Sequence, residues 1–233
     1  MNATNVVINA KDSAEIASNI TANNNVNITA GNGVTFTESA NTASNQGTAV
    51  NVGIGAGTTI NVETGVAVPH VNGSVGVNKT DNASSTATGA NVAAGNDIKI
   101  NANNGDVNLH GTNLVSNNSV EVEGNKVNTS GAISSVNEKN LTVNVNGSYA
   151  SGKPDGGINA KGKNEANVTN TANTIQSDNV VITTGSPTGL SVNNTTINGN
   201  NVAYYYDDSK APAANRYTYR PRQPSYAKRR LRY

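Results

Sequence analysis

The chain has 233 residues, enough for one domain or one large piece of a longer protein, with no cysteine, no tryptophan, one phenylalanine and one methionine. That excludes a disulfide framework, a thiolate site and a conventional aromatic-rich enzyme core. No run of 18 apolar residues occurs, and no basic-then-apolar segment opens the chain. The net charge of +1 hides an asymmetry. Residues 1–203 carry 8 lysines against 13 acids, whereas residues 204–233 carry 2 lysines and 6 arginines against Asp207 and Asp208. The apolar set is dominated by 26 valines and 13 isoleucines against 5 leucines, which favours strands over helices.

A short pattern recurs along the chain: a polar or asparagine pair, then apolar-x-apolar, then a small or polar pair. It first reads Asn5-Val6-Val7-Ile8-Asn9-Ala10, then Asn24-Asn25-Val26-Asn27-Ile28-Thr29-Ala30. It returns at Asn96-Asp97-Ile98-Lys99-Ile100, at Asn118-Ser119-Val120-Glu121-Val122, and at Asp178-Asn179-Val180-Val181-Ile182. Each copy predicts a three-residue strand with two side chains inward and one outward. Secondary copies follow at Val34/Phe36, Val107/Leu109 and Leu190/Val192. About 20 residues per lap, with two or three short strands in each, is the spacing of a β-solenoid, whose stacked laps share one core. The 43 asparagines fit this reading, because stacked turns let their amides form ladders along the axis.

A longer repeat overlies the laps. Gly73-Ser74-Val75 matches Gly156-Gly157-Ile158, 83 residues later. Both are followed by polar stretches, 78–91 and 161–174, and both then return to the solenoid pattern, at Val92 and Ile175. Upstream lie alternating segments, Val50-Asn51-Val52-Gly53-Ile54 and Val66-Ala67-Val68 in the first copy, Leu141-Thr142-Val143-Asn144-Val145 in the second. Strict alternation predicts longer, half-buried strands, read as hairpins extruded from the solenoid and folded along its side.

This order of blocks, occurring twice, resembles the haemagglutinin repeats of filamentous-haemagglutinin-type exoproteins, including two-partner-secreted adhesins and contact-dependent growth inhibition effectors. The pieces Ala93-Ala94-Gly95-Asn96-Asp97-Ile98-Lys99-Ile100 and Gly105-Asp106-Val107-Asn108-Leu109-His110-Gly111-Thr112 are similar to successive laps of that family. The resemblance covers roughly residues 1–202. It implies an all-β fold, a right-handed parallel β-helix with extruded β-hairpins, secreted and displayed on a Gram-negative surface through an outer-membrane transporter. The expected function is a non-catalytic structural and adhesive segment, presented to a host or neighbouring bacterial cell surface. Rival readings are a delivery segment of a growth inhibition effector lacking its toxin, a self-assembling fibre subunit associating end to end, and a nucleic-acid binder acting through a basic tail. Without a signal peptide, an N-terminal secretion domain or a Val-Glu-Asn-Asn junction, the chain reads as a fragment or an orphan reading frame, cytoplasmic in the latter case.

Candidate chemistry is sparse, and neither an enzyme nor a cofactor is expected. His70 and His110 lie 40 residues apart, and only Asp106 stands near His110, so a solvated turn histidine is the reading favoured over a metal ligand. Glu121 and Glu123 share one face of a strand, as a glycosidase pair would. The body offers no aromatic sugar platform beyond Phe36 and Tyr149, so a solvated face is favoured. The stretch Gly53-Ile54-Gly55-Ala56-Gly57 lacks the Gly-Lys-Ser/Thr ending of a phosphate loop, and close packing of hairpin strands is the better reading.

The domain boundary is expected at 203/204, with residues 204–233 an extended, disordered Tyr/Arg-rich tail. Contacts to an anionic partner would fall on Arg216, Tyr217, Tyr219, Arg220, Arg222, Lys228, Arg229, Arg230 and Arg232. Arginine interleaved with tyrosine suits phosphate contact with base stacking, an anionic cell surface, or the acidic body of a neighbouring chain. Nucleic acid ranks last among these, and a tail with no binding role ranks first.

Overall fold

A computed structural model describes residues 1–207 and 209. These residues form two compact units. Of these residues, the first holds 1–41, 86–134 and those from 169 to 207 with 209; the second holds 42–85 and 135–168.

The first unit is a solenoid of six laps that build three parallel sheets; laps one to five contribute to all three, and lap six, among the described residues, to two. Lap one is β1 (Asn2–Ala3), β2 (Val6–Ala10) and β3 (Ala14–Ile16); lap two is β4 (Ile20–Ala22), β5 (Val26–Ala30) and β6 (Val34–Phe36). The chain then leaves through β7 (Ser39–Ile60) and returns through β8 (Ala67–Thr88). Laps three and four follow: β9 (Asn91–Ala94), β10 (Asp97–Ala102) and β11 (Val107–His110), then β12 (Asn113–Ser116), β13 (Ser119–Gly124) and β14 (Val127–Ser130). A second excursion uses β15 (Ala132–Ala150) and β16 (Lys153–Thr171). Lap five is β17 (Asn173–Gln176), β18 (Asn179–Thr184) and β19 (Leu190–Val192); lap six is β20 (Thr195–Asn198) and β21 (Asn201–Tyr206).

The sheets stack in lap order: β1-β4-β9-β12-β17-β20, β2-β5-β10-β13-β18-β21 and β3-β6-β11-β14-β19. Register follows from the sequence pattern. In the second sheet the inward column Val6, Val26, Ile98, Val120, Val180 and Val202 runs unbroken through all six laps. A parallel column of Ile8, Ile28, Ile100, Val122, Ile182 and Tyr204 lies two residues on. The other sheets add Ile20, Val92, Leu114 and Ile175, and Val34, Val107 and Val127. These side chains share one buried core. Burying each Val or Ile is worth about 1.5–3 kcal/mol, but only a neighbour one strand spacing away closes the core over it, so no lap is stable alone. The middle-sheet strands prove longer than the three residues expected, at five or six, because a third inward position (Ala10, Ala30, Ala102, Gly124) follows the apolar pair. The lap pattern also runs past the boundary expected at 203/204. β21 continues to Tyr206, and the Tyr204 hydroxyl lies 2.7 Å from Thr184 Oγ1 on the lap below.

The second unit is an antiparallel sheet of four strands in the order β7-β8-β15-β16. Both excursions depart after a third-sheet strand and return to a first-sheet strand, so one long repeat is two laps plus one hairpin. The second hairpin is ten residues shorter, three from each arm and four from the turn. This explains the imperfect repeat: the return arms keep the 83-residue shift while the outgoing arms do not. The shorter turn places Ser151 and Gly152 at φ 54° and 74°, the geometry of a two-residue turn that matches strand twist. In the longer turn the Asn61 side chain accepts hydrogen bonds from the amides of Glu63 and Thr64.

The two hairpins pair with each other through β8 and β15, from Ser135 opposite Ser85 to Ala150 opposite His70. Opposed residues share a face. Val71, Val75 and Val77 therefore lie with Tyr149, Val145 and Val143, while Asn72, Ser74 and Asn78 lie on the other side with Ser148, Asn146 and Thr142. In β7, Gly53, Gly55 and Gly57 sit against Ser74, Asn72 and His70 on that polar side, which turns Val50, Val52 and Ile54 to the apolar side. Lys163 of β16 bonds Glu138 on the polar side, which turns Ile158 to the apolar one.

Candidate functional site

No group of three or more His, Asp or Glu residues that could hold a metal occurs among the described residues. His110 closes β11 and is half-buried, with Nδ1 2.6 Å from the Ser130 hydroxyl one lap above. It is thus a rung between laps, not the solvated turn histidine expected from its glycine neighbour. His70 lies in β8 with Nδ1 3.3 Å from Thr59 Oγ1 across the first hairpin.

The glutamate pair is placed on one outward face of β13, as the strand spacing requires. Glu121 accepts from Lys99 Nζ at 3.1 Å, because Lys99 is its direct partner on β10. That hydrogen bond raises the lysine above its ordinary value, against a smaller opposing effect of burial. Glu121 is thus held in an ion pair with the lap below, and the carboxylates form part of a charged ladder. The glycine-rich stretch is strand, not loop. A Cβ on Gly55 would collide with the Asn72 amide, and one on Gly57 with the His70 ring, so these glycines admit the bulky polar side chains of β8.

What the laps do build is a set of polar columns. On the third sheet Asn128 donates to Asn108 Oδ1 at 3.0 Å, and Asn108 donates to Thr35 Oγ1 at 3.3 Å. At the corner before the second sheet a longer ladder climbs from Asn5 to Asn25 to Asp97 through backbone amides. It continues as Asn118 donates to Asp97 at 2.7 Å, Asn179 to the Asn118 carbonyl at 3.0 Å, and Asn201 to Asn179 Oδ1 at 3.0 Å. These are the amide ladders that the asparagine content predicts. On the outward face of the middle sheet Asn9, Thr29, Asn101, Glu123, Thr183 and Tyr205 form one column.

Sequence reasoning missed Asn173. It is fully buried where the second hairpin rejoins the solenoid. Its Oδ1 accepts from the Thr112 amide at 2.7 Å, and its Nδ2 donates to the Ser130 carbonyl at 2.8 Å and to Thr195 Oγ1 at 3.1 Å. One amide thus ties laps four, five and six at the point where the chain departs. Ala90 occupies the equivalent place after the first hairpin, and is also buried.

The nine tail residues proposed as anionic-partner contacts, from Arg216 to Arg232, lie outside the described residues. The hollows on the antiparallel sheet are shallow. One of about 320 Å³ is lined by Lys79, Asp81, Lys139 and Leu141, and one of about 350 Å³ by Gln46, Thr48, Lys79 and Asp81.

The profile of the hemagglutinin repeat matches residues 71–204, more than half of the chain, beginning within β8 and ending within β21. The chain belongs to the hemagglutinin-repeat family. No curated protein and no solved structure matches it. Hemagglutinin repeats occur in secreted surface exoproteins. The matched span of hemagglutinin repeat holds laps three to five, the second hairpin and the Asn173 junction.

Proposed function

We propose that this hemagglutinin-repeat chain is a non-catalytic structural and adhesive segment of a secreted, surface-displayed exoprotein. The single observation that carries the reading is the unbroken six-lap stack of inward Val/Ile columns within the first unit. A parallel stack of this kind gives each outward column one side chain per strand spacing, about 4.8 Å. Lys99, Glu121, Asn101 and Glu123 would then meet a host or neighbouring bacterial surface as a comb of individually weak contacts. Regular spacing lets such contacts add by multivalency. Export would run through the outer-membrane transporter of the parent exoprotein.

The test is adhesion. Beads coated with the full chain should bind target bacterial or epithelial cells above uncoated beads. The quadruple variant Lys99→Ala, Asn101→Ala, Glu121→Ala, Glu123→Ala should reduce binding at least fivefold, with unchanged circular dichroism. Binding equal to that of uncoated beads across several cell types would overturn the adhesive reading and leave only a spacer.

A further inference from the structure

The apolar side of the antiparallel sheet is built in rows. Asn61 lies opposite Val66 at the first turn, β8 and β15 pair from Ser85 opposite Ser135 to His70 opposite Ala150, and the two-residue turn at Ser151-Gly152 sets β15 against β16. Counting back from these points aligns Val52, Val75, Val145 and Ile158 in one row across all four strands. The next row toward the strand ends that enter the laps reads Val50, Val77, Val143 and Ala160. The next row toward the turns reads Ile54, Gly73, Gly147 and Gly156, and beyond it Val71 and Tyr149 rise again. A trough of three glycines therefore runs between apolar ridges. Val52, Ile54, Val75, Val145, Tyr149 and Ile158 are all exposed. A contiguous apolar face of this width marks a contact site.

Nothing inside the chain asks for glycine at 73 or 147. Neither has a left-handed φ, and Cβ atoms there would meet nothing nearer than 3.9 Å. The glycines of β7 differ, since Gly55 and Gly57 make room for Asn72 and His70. Gly73 and Gly147 are direct cross-strand partners, so the sheet gives up side-chain pairing near its centre, a loss relative to β-branched residues. Glycine inside a strand often marks the close approach of another surface. The rows indicate which surface. The ridge from Val52 to Ile158 lies one row, about 7 Å, from the trough. A twofold axis set midway between them seats each copy's ridge in the other's trough.

We propose that the apolar sheet face binds the same face of a second copy of this chain, as an isologous dimer of two stacked sheets. The axis runs across the strands, so the strands of the two copies run in opposite directions. Val75 and Val145 of one copy then lie over Gly73 and Gly147 of the other, Ile54 meets Val52, and Tyr149 covers Val143. The arrangement leaves room for the laps. Positions on β8 match about Ser74, so Val66 lies over Asn82, and the turn between 61 and 66 stays short of Thr88, where β8 ends. The residues that enter the laps lie at opposite ends of the pair. Four strands, with about nine residues of each, give a face of about 19 Å by 30 Å per copy. Two such faces remove on the order of 1,000–1,200 Å² from water, the lower end of specific interfaces. The interface closes at two copies, unlike stacking of solenoid ends, and it does not rest on the adhesive reading.

Sedimentation of the full chain should show a concentration-dependent equilibrium of monomer and dimer, with no larger species. Gly73→Val with Gly147→Val fills the trough where a Cβ has space. It should weaken the dimer at least tenfold, while the thermal midpoint of the dilute, monomeric chain stays equal or rises. Val52→Lys with Ile158→Lys, two exposed changes on the outer strands, should weaken the dimer by as much. The natural chain has no cysteine, so Ser84→Cys, on the polar side, takes a single spin label. Two such labels should lie about 70 Å apart in the dimer. A monomer at every concentration up to about 1 mM, a dimer indifferent to the glycine variant, or oligomers that grow beyond two would each overturn the proposal. So would capture by neutral lipid vesicles in place of dimerisation, or labels closer than about 40 Å, which would mean strands running the same way.

Discussion

Phe36 and Ile54 stand in consecutive strands, yet the first is fully buried and the second is 85% exposed. The solenoid and the antiparallel sheet draw on the same residues, Val, Ile, Asn, Gly and Thr, and both satisfy their backbones by strand pairing. They differ in what closes over the side chains. In the solenoid, strands of two to six residues turn their apolar positions toward two other sheets, and the next lap covers them. In the sheet, strands of 19–22 residues carry one apolar face and one polar face, and most of their side chains reach solvent. Side-chain burial thus stabilises the first unit, and cross-strand pairing carries the second. The arithmetic of growth is shared: two laps and one hairpin each add two strand spacings per long repeat.

The largest expected effect breaks the comparison outright. Phe36→Ala removes a fully buried ring from the third sheet and should cost about 3–5 kcal/mol in denaturant unfolding. Ile54→Ala should change the same midpoint by less than about 0.5 kcal/mol. Comparable losses would mean that the sheet face is covered.

Next comes Asn173→Ala. It orphans the Thr112 amide in a buried place and removes one of two donors from the Ser130 carbonyl, which keeps the Gly111 amide, a loss of about 1–3 kcal/mol. Amide exchange should quicken at Thr112 before it quickens elsewhere in lap four; an unchanged Thr112 rate would contradict the clasp.

A single ladder rung should matter less. Asn128→Ala breaks the bond to Asn108 and should cost about 0.5–1.5 kcal/mol, read from the thermal midpoint.

The charges give the smallest effects, with opposite pH limits. Lys99 is raised by its hydrogen bond to Glu121, so its contribution is fully present below the ordinary lysine value of 10.5 and is lost as pH rises through the higher folded value. Lys99→Gln should cost under about 1 kcal/mol at neutral pH, since the pair is partly exposed. In the sheet, Glu165 is lowered by Lys163 at 2.8 Å and by Asn167. Its contribution is present above the ordinary value of 4.5 and disappears as pH falls through the folded one. Acid should therefore loosen the β16 edge before the solenoid, and Glu165→Gln should abolish that difference in exchange rates between pH 5 and pH 3.

The laps were legible because their signal is redundant. Val26/Ile28, Ile98/Ile100, Val120/Val122 and Val180/Ile182 repeat one apolar pair between turn residues, and any one copy calibrates the others. Both hairpins were legible from alternation and from the return of the lap pattern at Val92 and Ile175. Their pairing with each other was not, because alternating strands offer the same pattern to a partner in several registers. His110 looked like a turn residue because Gly111 follows it, yet its ring is held by Ser130, a contact set by lap stacking and invisible locally. Asn173 was hidden for a different reason. One buried asparagine among 43 carries no local mark, and only the departure of a hairpin beside it leaves the Thr112 amide to be satisfied by a side chain.

The most direct measurement is amide hydrogen exchange on the full chain, resolved by strand. If lap stacking closes the core and the hairpins rely on pairing alone, β10, β13 and β18 exchange slowest, β8 and β15 follow, and the outer arms β7 and β16 exchange fastest. Slower exchange in β7 and β16 than in β13, at a concentration where the chain is monomeric, would contradict that division.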